Sequence, residues 1–165
     1  MIYSDKDLIM WSGTFACGIK LIDEQHKELV NMINEMFMHV TGSEKEERAY
    51  FNKIIHKAVN YIKIHFATEE KILAVTKFPG YREHKLVHDS FTLNIIETIN
   101  ELTSGKHMSL YSFTKYLKEW VFSHIAVMDK NYFQYIRTIA TRKKNGKLSV
   151  NQNDVQYAED LHALQ

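Results

Sequence analysis

Apolar side chains recur along four stretches of this chain at alternating steps of three and four, the repeat that keeps residues on one face of a helix. Ile19, Ile22, His26, Leu29, Ile33, Met36 and Val40 trace the first stripe, and Ala58, Ile62, His65, Glu69 and Ile72 the second. The third runs His84, His88, Phe91, Ile95, Thr98 or Ile99, and Leu102, while the fourth runs Phe113, Leu117, Trp120 or Val121, His124 and Met128. The pattern predicts helix A over about Ile19 to Val40, stopping at Thr41-Gly42-Ser43, where Gly42 fits a left-handed C-terminal cap. Ser43 and Glu46 form a capping box for helix B, which extends to about Thr76 before Phe78-Pro79-Gly80 breaks it. Helix C covers roughly Tyr81 to Thr103 and stops at Ser104-Gly105. Ser109 caps helix D, which reaches at least Asp129 and at its longest Arg137.

Long amphipathic helices joined by short loops pack as antiparallel neighbours, so the expected fold is all-α, an up-down-up-down four-helix bundle. An irregular N-terminal arm, residues 1–18, precedes the bundle of residues 19–140, and offers Ile9, Trp11 and Phe15 for packing on it. Residues 141–165 form a short C-terminal extension in which Val155, Ala158, Leu161 and Leu164 carry a weak helical period; a short extra helix and a frayed tail stand equally open. At 165 residues the chain can bury one good core. Its 45% hydrophobic and 25% charged residues, with one Pro and six Gly, suit a helical globular protein and exclude a disordered one.

Charge narrows the function. With 21 basic against 20 acidic residues the formal net charge is +1, which advertises no nucleic-acid or anionic-membrane surface. The basic cluster from Arg142 to Lys147 lies past the last stripe and reads as a solvated linker. Cys17 is the single cysteine, so there is no intrachain disulfide and no thiolate metal cluster. The opening residues lack a basic start followed by an unbroken apolar run, and no stretch reaches the length of a membrane span. The expected location is the cytoplasm.

The stripes contain residues that do not belong in an apolar core. His26, His65, Glu69, His84, His88, His124 and Asp129 all fall where the stripes continue inward, or just past one. An unpartnered buried polar group costs on the order of 2 to 7 kcal/mol, so several converging on one core need a common explanation, and a bound metal supplies one. No single spacing carries this: nine histidines in 165 residues give roughly 0.5 His-x-x-x-His pairs by chance. The joint placement does. His56 lies on about the opposite face of helix B from His65, His39 is far round helix A from His26, and His107 and His162 sit in a loop and the tail; none of these four is assigned to metal. Five imidazoles and two carboxylates exceed the four ligands of a structural zinc site, and two metals bridged by carboxylates are the economical alternative. Iron, zinc, copper and manganese all suit such a donor set. Asp129 fits least well, since five residues past His124 is about 500° of regular helix; spacing alone makes it a surface residue beside Lys130 unless the helix is locally widened or ends there.

Three segments carry a family resemblance. Trp-Ser-Gly-Thr-Phe-Ala-Cys-Gly-Ile-Lys-Leu-Ile-Asp-Glu-Gln-His over residues 11–26 resembles the opening of bacterial hemerythrins. His65-Phe66-Ala67-Thr68-Glu69-Glu70, Phe78-Pro79 and His84-x-x-x-His88 resemble that family's second and third ligand segments, and Trp120-Val121-Phe122-Ser123-His124-Ile125 with Asp129 its last, where the same five-residue step recurs. The resemblance spans about residues 11 to 133 with every ligand in order, and the same bundle topology is documented for myohemerythrin.

The resemblance implies two iron ions in a non-haem di-iron centre, bridged by an oxo or hydroxo group. His84, His88 and His124 would hold one iron and His26 and His65 the other, with Glu69 and Asp129 bridging. Dioxygen would bind reversibly at the iron with two histidines, and Leu29, Phe66, Trp120 and Val121 would wall the dioxygen pocket against water. A ligand set richer in imidazole than that of the ferritin-like oxidases agrees with holding dioxygen rather than activating it. Many members of the family have Leu where this chain has Val121 and Met where it has Leu73. The implied function is oxygen storage, delivery or buffering, without enzymatic turnover. Oxygen or redox sensing is an alternative, as is a di-iron oxidoreductase acting on peroxide, nitric oxide or iron.

Overall fold

Few side chains are needed to set where each stripe's helix begins and ends. The computed structural model describes residue 4, residues 7–104 and residues 109–144, with backbone alone at 102, 103 and 140–144. Within them lie α1 (Lys20–Met38), α2 (Glu44–Val75), α3 (Tyr81–Thr103), α4 (Leu110–Ser123), a π-helical turn (His124–Met128) and α5 (Asp129–Lys144). The last three follow one another without a break and act as the fourth rod of an all-α bundle. Ser109 caps α4 by accepting the Ser112 N–H at 3.2 Å, as its position before the fourth stripe leads one to expect. No described helix is long and apolar enough to cross a membrane.

The rods alternate in direction. Tyr61 of α2 donates its hydroxyl to the Gln25 carbonyl of α1 at 2.9 Å. Phe66 meets Phe91 across α2 and α3, and Phe91 stacks on Trp120 of α4 at 4.0 Å. Along α1 from His26 to Phe37, ring partners on the fourth rod run back from Phe133 to Tyr111, so that pair is antiparallel.

Three boundaries differ from the sequence expectation. Helix α1 ends at Met38 with His39 as its cap, so Gly42 is not the cap. Gly42 instead holds φ +81° in the turn beyond, where the Glu47 carboxylate accepts the Thr41 and Gly42 N–H groups at 3.0 and 2.8 Å. Ser43 does cap α2, accepting from the Glu46 N–H, but the carboxylate seen reaching back is that of Glu47, one residue on. The fourth rod continues past Arg137 to Lys144, because no Pro or Gly interrupts residues 138–144. The stretch Val155–Leu164, left open between a short helix and a frayed tail, lies outside the described residues.

Between α2 and α3 the Phe78-Pro79-Gly80 turn needs its glycine: a Cβ at Gly80 would stand 2.8 Å from the Phe78 ring. Tyr135 fastens this end by donating to the carbonyls of Thr76 and Lys77 at 3.2 and 3.0 Å. The N-terminal arm is held at its middle, where Ile9 and the Asn34 carboxamide exchange hydrogen bonds of 2.8 and 2.9 Å. Ile9 and Phe15 are buried, and Phe15 packs edge-on to Phe122 of α4.

The interior divides in two. A larger apolar cluster reaches from Phe37, Phe51 and Leu110 up to Leu29, Phe66, Val121 and Ile125. A smaller one holds Cys17, Ile22, Leu73, Tyr132 and Phe133. Three rods pass from one to the other through a polar step: His26 between Ile22 and Leu29, Glu69 between Phe66 and Leu73, Asp129 between Ile125 and Tyr132; α3 does so with His84 and His88 between the partly buried Tyr81 and the buried Phe91. The bundle therefore contains a polar layer sealed on both sides by hydrocarbon.

Candidate metal centre

All seven expected metal-capable residues lie in this layer, and all seven are buried. Helix α1 supplies His26, α2 supplies His65 and Glu69 one turn apart, and α3 supplies His84 and His88 one turn apart. His124 opens the π-helical turn and Asp129 follows it. Their donor atoms form two groups that share one residue: Glu69 with His84, His88 and His124, and Glu69 with His26 and His65. His39 and His56 are exposed; His107 and His162 lie outside the described residues.

The π-helical turn brings Asp129 in. Its N–H bonds to the His124 carbonyl, five residues back, so one widened turn separates the two residues and their side chains project from the same face. Asp129 then bridges. One oxygen stands 3.2 Å from His124 Nε2 and 3.5 Å from His84 Nε2, the other 3.5 Å from His26 Nε2. Glu69 does the same from α2, with Oε2 at 3.3 Å from His88 Nε2 and 3.6 Å from His65 Nε2, and Oε1 at 3.7 Å from His26 Nε2.

Most of these separations are long for charged hydrogen bonds. They match ligand atoms that each stand roughly 2.0 to 2.2 Å from a shared ion and hence about 3 to 3.5 Å from one another. Both nitrogens of His26, Nε2 of His65 and His84, Oε2 of Glu69 and both oxygens of Asp129 are buried without a hydrogen-bond partner. Such orphans facing one point are satisfied together by cations, and imidazoles with carboxylates are the donors that iron accepts. The residues present fit a resident metal.

Without metal the layer must share protons. Burial works against a charged His26, yet Asp129 and Glu69 outweigh it and lift the imidazole to about 9. Burial pushes His65 down to about 3, with Glu69 alone opposing it and His26, His124 and His88 adding repulsion. His84 is raised because Glu69 and Asp129 overcome its burial. Burial also disfavours the Glu69 anion, but the surrounding imidazoles prevail and hold its carboxyl well below the usual range. Burial and the Glu69 charge together push Asp129 up.

An apolar cavity of about 10 Å³ adjoins the layer, lined by Leu29, Phe66, Trp120 and Val121 along with Met32 and Tyr61. It has room for at most one water-sized guest. Its aromatic walls also fix the imidazoles: Phe66 stacks on His88 at 3.7 Å and Trp120 on His124 at 4.3 Å.

Spacing missed three supporting residues. Tyr132 donates its buried hydroxyl to Glu69 Oε1 at 2.5 Å, Gln25 Oε1 lies 3.0 Å from His65 Nδ1, and Glu70 Oε1 lies 3.2 Å from His88 Nδ1. Tyr132 carried a usable signal, since it follows Asp129 by three and continues the inward face. Gln25 and Glu70 carried none, because each serves an imidazole on the next helix.

Residues 17–136 match the family model described as the hemerythrin HHE cation binding domain. A bacteriohemerythrin of Stenotrophomonas maltophilia is 29% identical over 130 residues, covering 79% of this chain and 82% of that protein. One of Pseudomonas aeruginosa is 30% identical over 129 residues, covering 78% and 82%, and one of Methylococcus capsulatus is 24% identical over 126 residues, covering 76% and 94%.

Proposed function

This chain belongs to the hemerythrin family, and from that premise we propose that it binds dioxygen reversibly at a pair of non-haem iron ions, inside the cell and without enzymatic turnover. His84, His88 and His124 would hold one iron, His26 and His65 the other, and Glu69 and Asp129 both. Iron supplies reversible electron transfer to dioxygen at such a centre. The observation that carries the reading is the buried donor cluster, which groups Glu69 with three imidazoles on one side and with two on the other and leaves Nε2 of His26, His65 and His84 and both Asp129 oxygens without a hydrogen-bond partner.

The residues of the chain do the rest. Asp129 turns one oxygen toward either half of the layer, and Glu69 Oε2 stands between them, 3.3 Å from His88 and 3.6 Å from His65, which ties the two halves to a common pair of anions. Tyr132 fixes the rotation of the Glu69 carboxylate by donating to Oε1, the oxygen on the His26 side. Leu29, Phe66, Trp120 and Val121 present hydrocarbon and ring faces to the cavity, so an apolar diatomic enters more readily than water or a proton carrier. The side with two imidazoles has fewer protein donors, so an ion held there would have a place for an exogenous ligand.

Optical spectroscopy with metal analysis tests this. The iron-loaded protein is reduced, exposed to oxygen and purged with argon, and the expected result is two iron equivalents per chain with near-ultraviolet and visible bands that appear and bleach over repeated cycles. Fewer than two equivalents after reconstitution, or oxidation that argon does not reverse, rejects the proposal. Steady consumption of peroxide far faster than loss of the oxygenated form would favour the oxidoreductase.

A further inference from the structure

The two halves of the layer differ in what stands behind their imidazoles. His65, on the side with two, turns Nδ1 to the neutral carboxamide oxygen of Gln25. His88, on the side with three, turns Nδ1 to the carboxylate of Glu70 at 3.2 Å, while Nδ1 of His26 and of His124 is buried without a partner. Glu70 is not buried with the ligands; its other oxygen lies 3.2 Å from Nζ of Lys85, which also bonds Asp89 at 3.0 Å. A chain of charge therefore runs from a buried imidazole, through one half-buried carboxylate, to an ammonium in solvent.

We propose that Glu70 is a positioning residue that makes the His84/His88/His124 half of the site the more electron-rich, and that Lys85 moderates it from the surface. The inference rests on the two-iron reading above and adds to it an assigned difference between the halves. A carboxylate behind a ligating imidazole raises the basicity of the ring and fixes its tautomer and orientation. The stacking of Phe66 on His88, with the ring planes nearly parallel at 4°, leaves that ring little freedom to answer by turning, so the charge acts on the ligand's electrons. An electron-rich half holds its ion more tightly and favours the ferric state. Lys85 draws part of the Glu70 charge outward, so its removal should strengthen the effect that removal of Glu70 abolishes.

Three variants, Glu70→Gln, Glu70→Asp and Lys85→Gln, test this on the full chain against wild type, using anaerobic Co²⁺ titration followed by absorbance and spectroelectrochemical titration of the iron-loaded protein. In Glu70→Gln the affinity for one of two Co²⁺ equivalents should fall about 10- to 100-fold, with the other unchanged. Its first-oxidised iron should lose about tenfold of its preference for the ferric state, equivalent to about 59 mV upward for one electron. Glu70→Asp should recover part of both losses, and Lys85→Gln should move the potential the opposite way, downward. A merely structural role would weaken binding in both charge variants and shift their potentials in one common direction, which would overturn the proposal. So would a Glu70→Gln protein whose two affinities and potentials stay within about twofold of wild type. Wild type that takes up fewer than two equivalents overturns the two-iron reading and this inference together, whereas two equivalents with no Glu70 effect overturn this inference alone.

Discussion

His26 and His65 have ring centres 5.0 Å apart, yet their environments drive them in opposite directions because His26 reaches oxygens of both Asp129 and Glu69 and His65 reaches Glu69 alone. The consequence is a pH dependence peculiar to the metal-free protein. His26, raised to about 9, and His84, raised in the same direction, bind protons more tightly folded than unfolded. The stability they contribute is complete below their unfolded value near 6.5 and is lost as pH climbs to about 9. His65 is neutral in both states across that window and offsets nothing; its depressed value costs stability only below 6.5. Protein stripped of metal should therefore lose on the order of 3 kcal/mol between pH 6.5 and 9. Metal-loaded protein, in which ions have replaced those protons, should keep a nearly level melting temperature. Parallel thermal melts of the two forms give the answer, and equal slopes would count against His26 as a proton holder. A second residue, Val121, is fully buried and lines the cavity. A longer side chain there fills space beside the metals, so Val121→Leu should slow decay of the oxygenated form several-fold, with decay equal to or faster than wild type as the refuting result.

At the scale of elements, the π-helical turn decides whether the fourth rod completes the site. Five residues of α-helix would leave Asp129 about 140° away from His124, whereas the i→i+5 bond from Asp129 N–H to His124 O aligns them. Inserting one alanine after Ala126 should turn Asp129 and Tyr132 about 100° off the layer together. The expected product keeps its far-ultraviolet helix signal and takes up fewer than two metal equivalents; full uptake would mean the turn is dispensable. This element also marks where sequence reading ran out. The four rods and the inward course of His26, His65, Glu69, His84, His88 and His124 were legible because each stripe keeps the 3.6-residue period. Asp129 was not legible from period, since nothing in His124-Ile125-Ala126-Val127-Met128 announces a widened turn, and the family resemblance alone placed it. Gly42 misled because glycine serves a left-handed turn and a helix cap equally. Gln25 and Glu70 were out of reach for another reason: each sits about 100° round its helix from a metal-capable neighbour and so serves the next helix, Gln25 of α1 supporting His65 of α2 and Glu70 of α2 supporting His88 of α3. Such pairings are non-local, and no period within one helix reveals them.

Across the whole molecule, the polar layer is a fault in the core that cations would mend. Two carboxylates and five imidazoles lie between apolar clusters whose one donor to the layer is the Tyr132 hydroxyl, and a buried group left unpartnered costs about 1 to 3 kcal/mol. A domain's net stability is only about 5 to 15 kcal/mol, so several such groups are comparable with the whole margin. Metal binding reverses this by mass action, since an ion present at about 1,000 times its dissociation constant adds about 4.1 kcal/mol for each site. Two sites then supply about 8 kcal/mol, and at about 2 to 4 °C per kcal/mol for a chain of this size the loaded protein should melt roughly 15 to 30 °C above the stripped one. The antiparallel contacts that surround the layer, Phe66 with Phe91, Phe91 with Trp120 and Tyr61 with Gln25, do not depend on metal, so the stripped chain should remain helical while its near-ultraviolet signal weakens. Calorimetry before and after removal of metal with a strong chelator under reducing, anaerobic conditions, and again after restoring Fe²⁺, measures the difference directly. A melting temperature unchanged by chelation, with metal analysis showing the ions gone, would mean that the core is stable with its polar layer empty and that the donors are held apart by the helices alone.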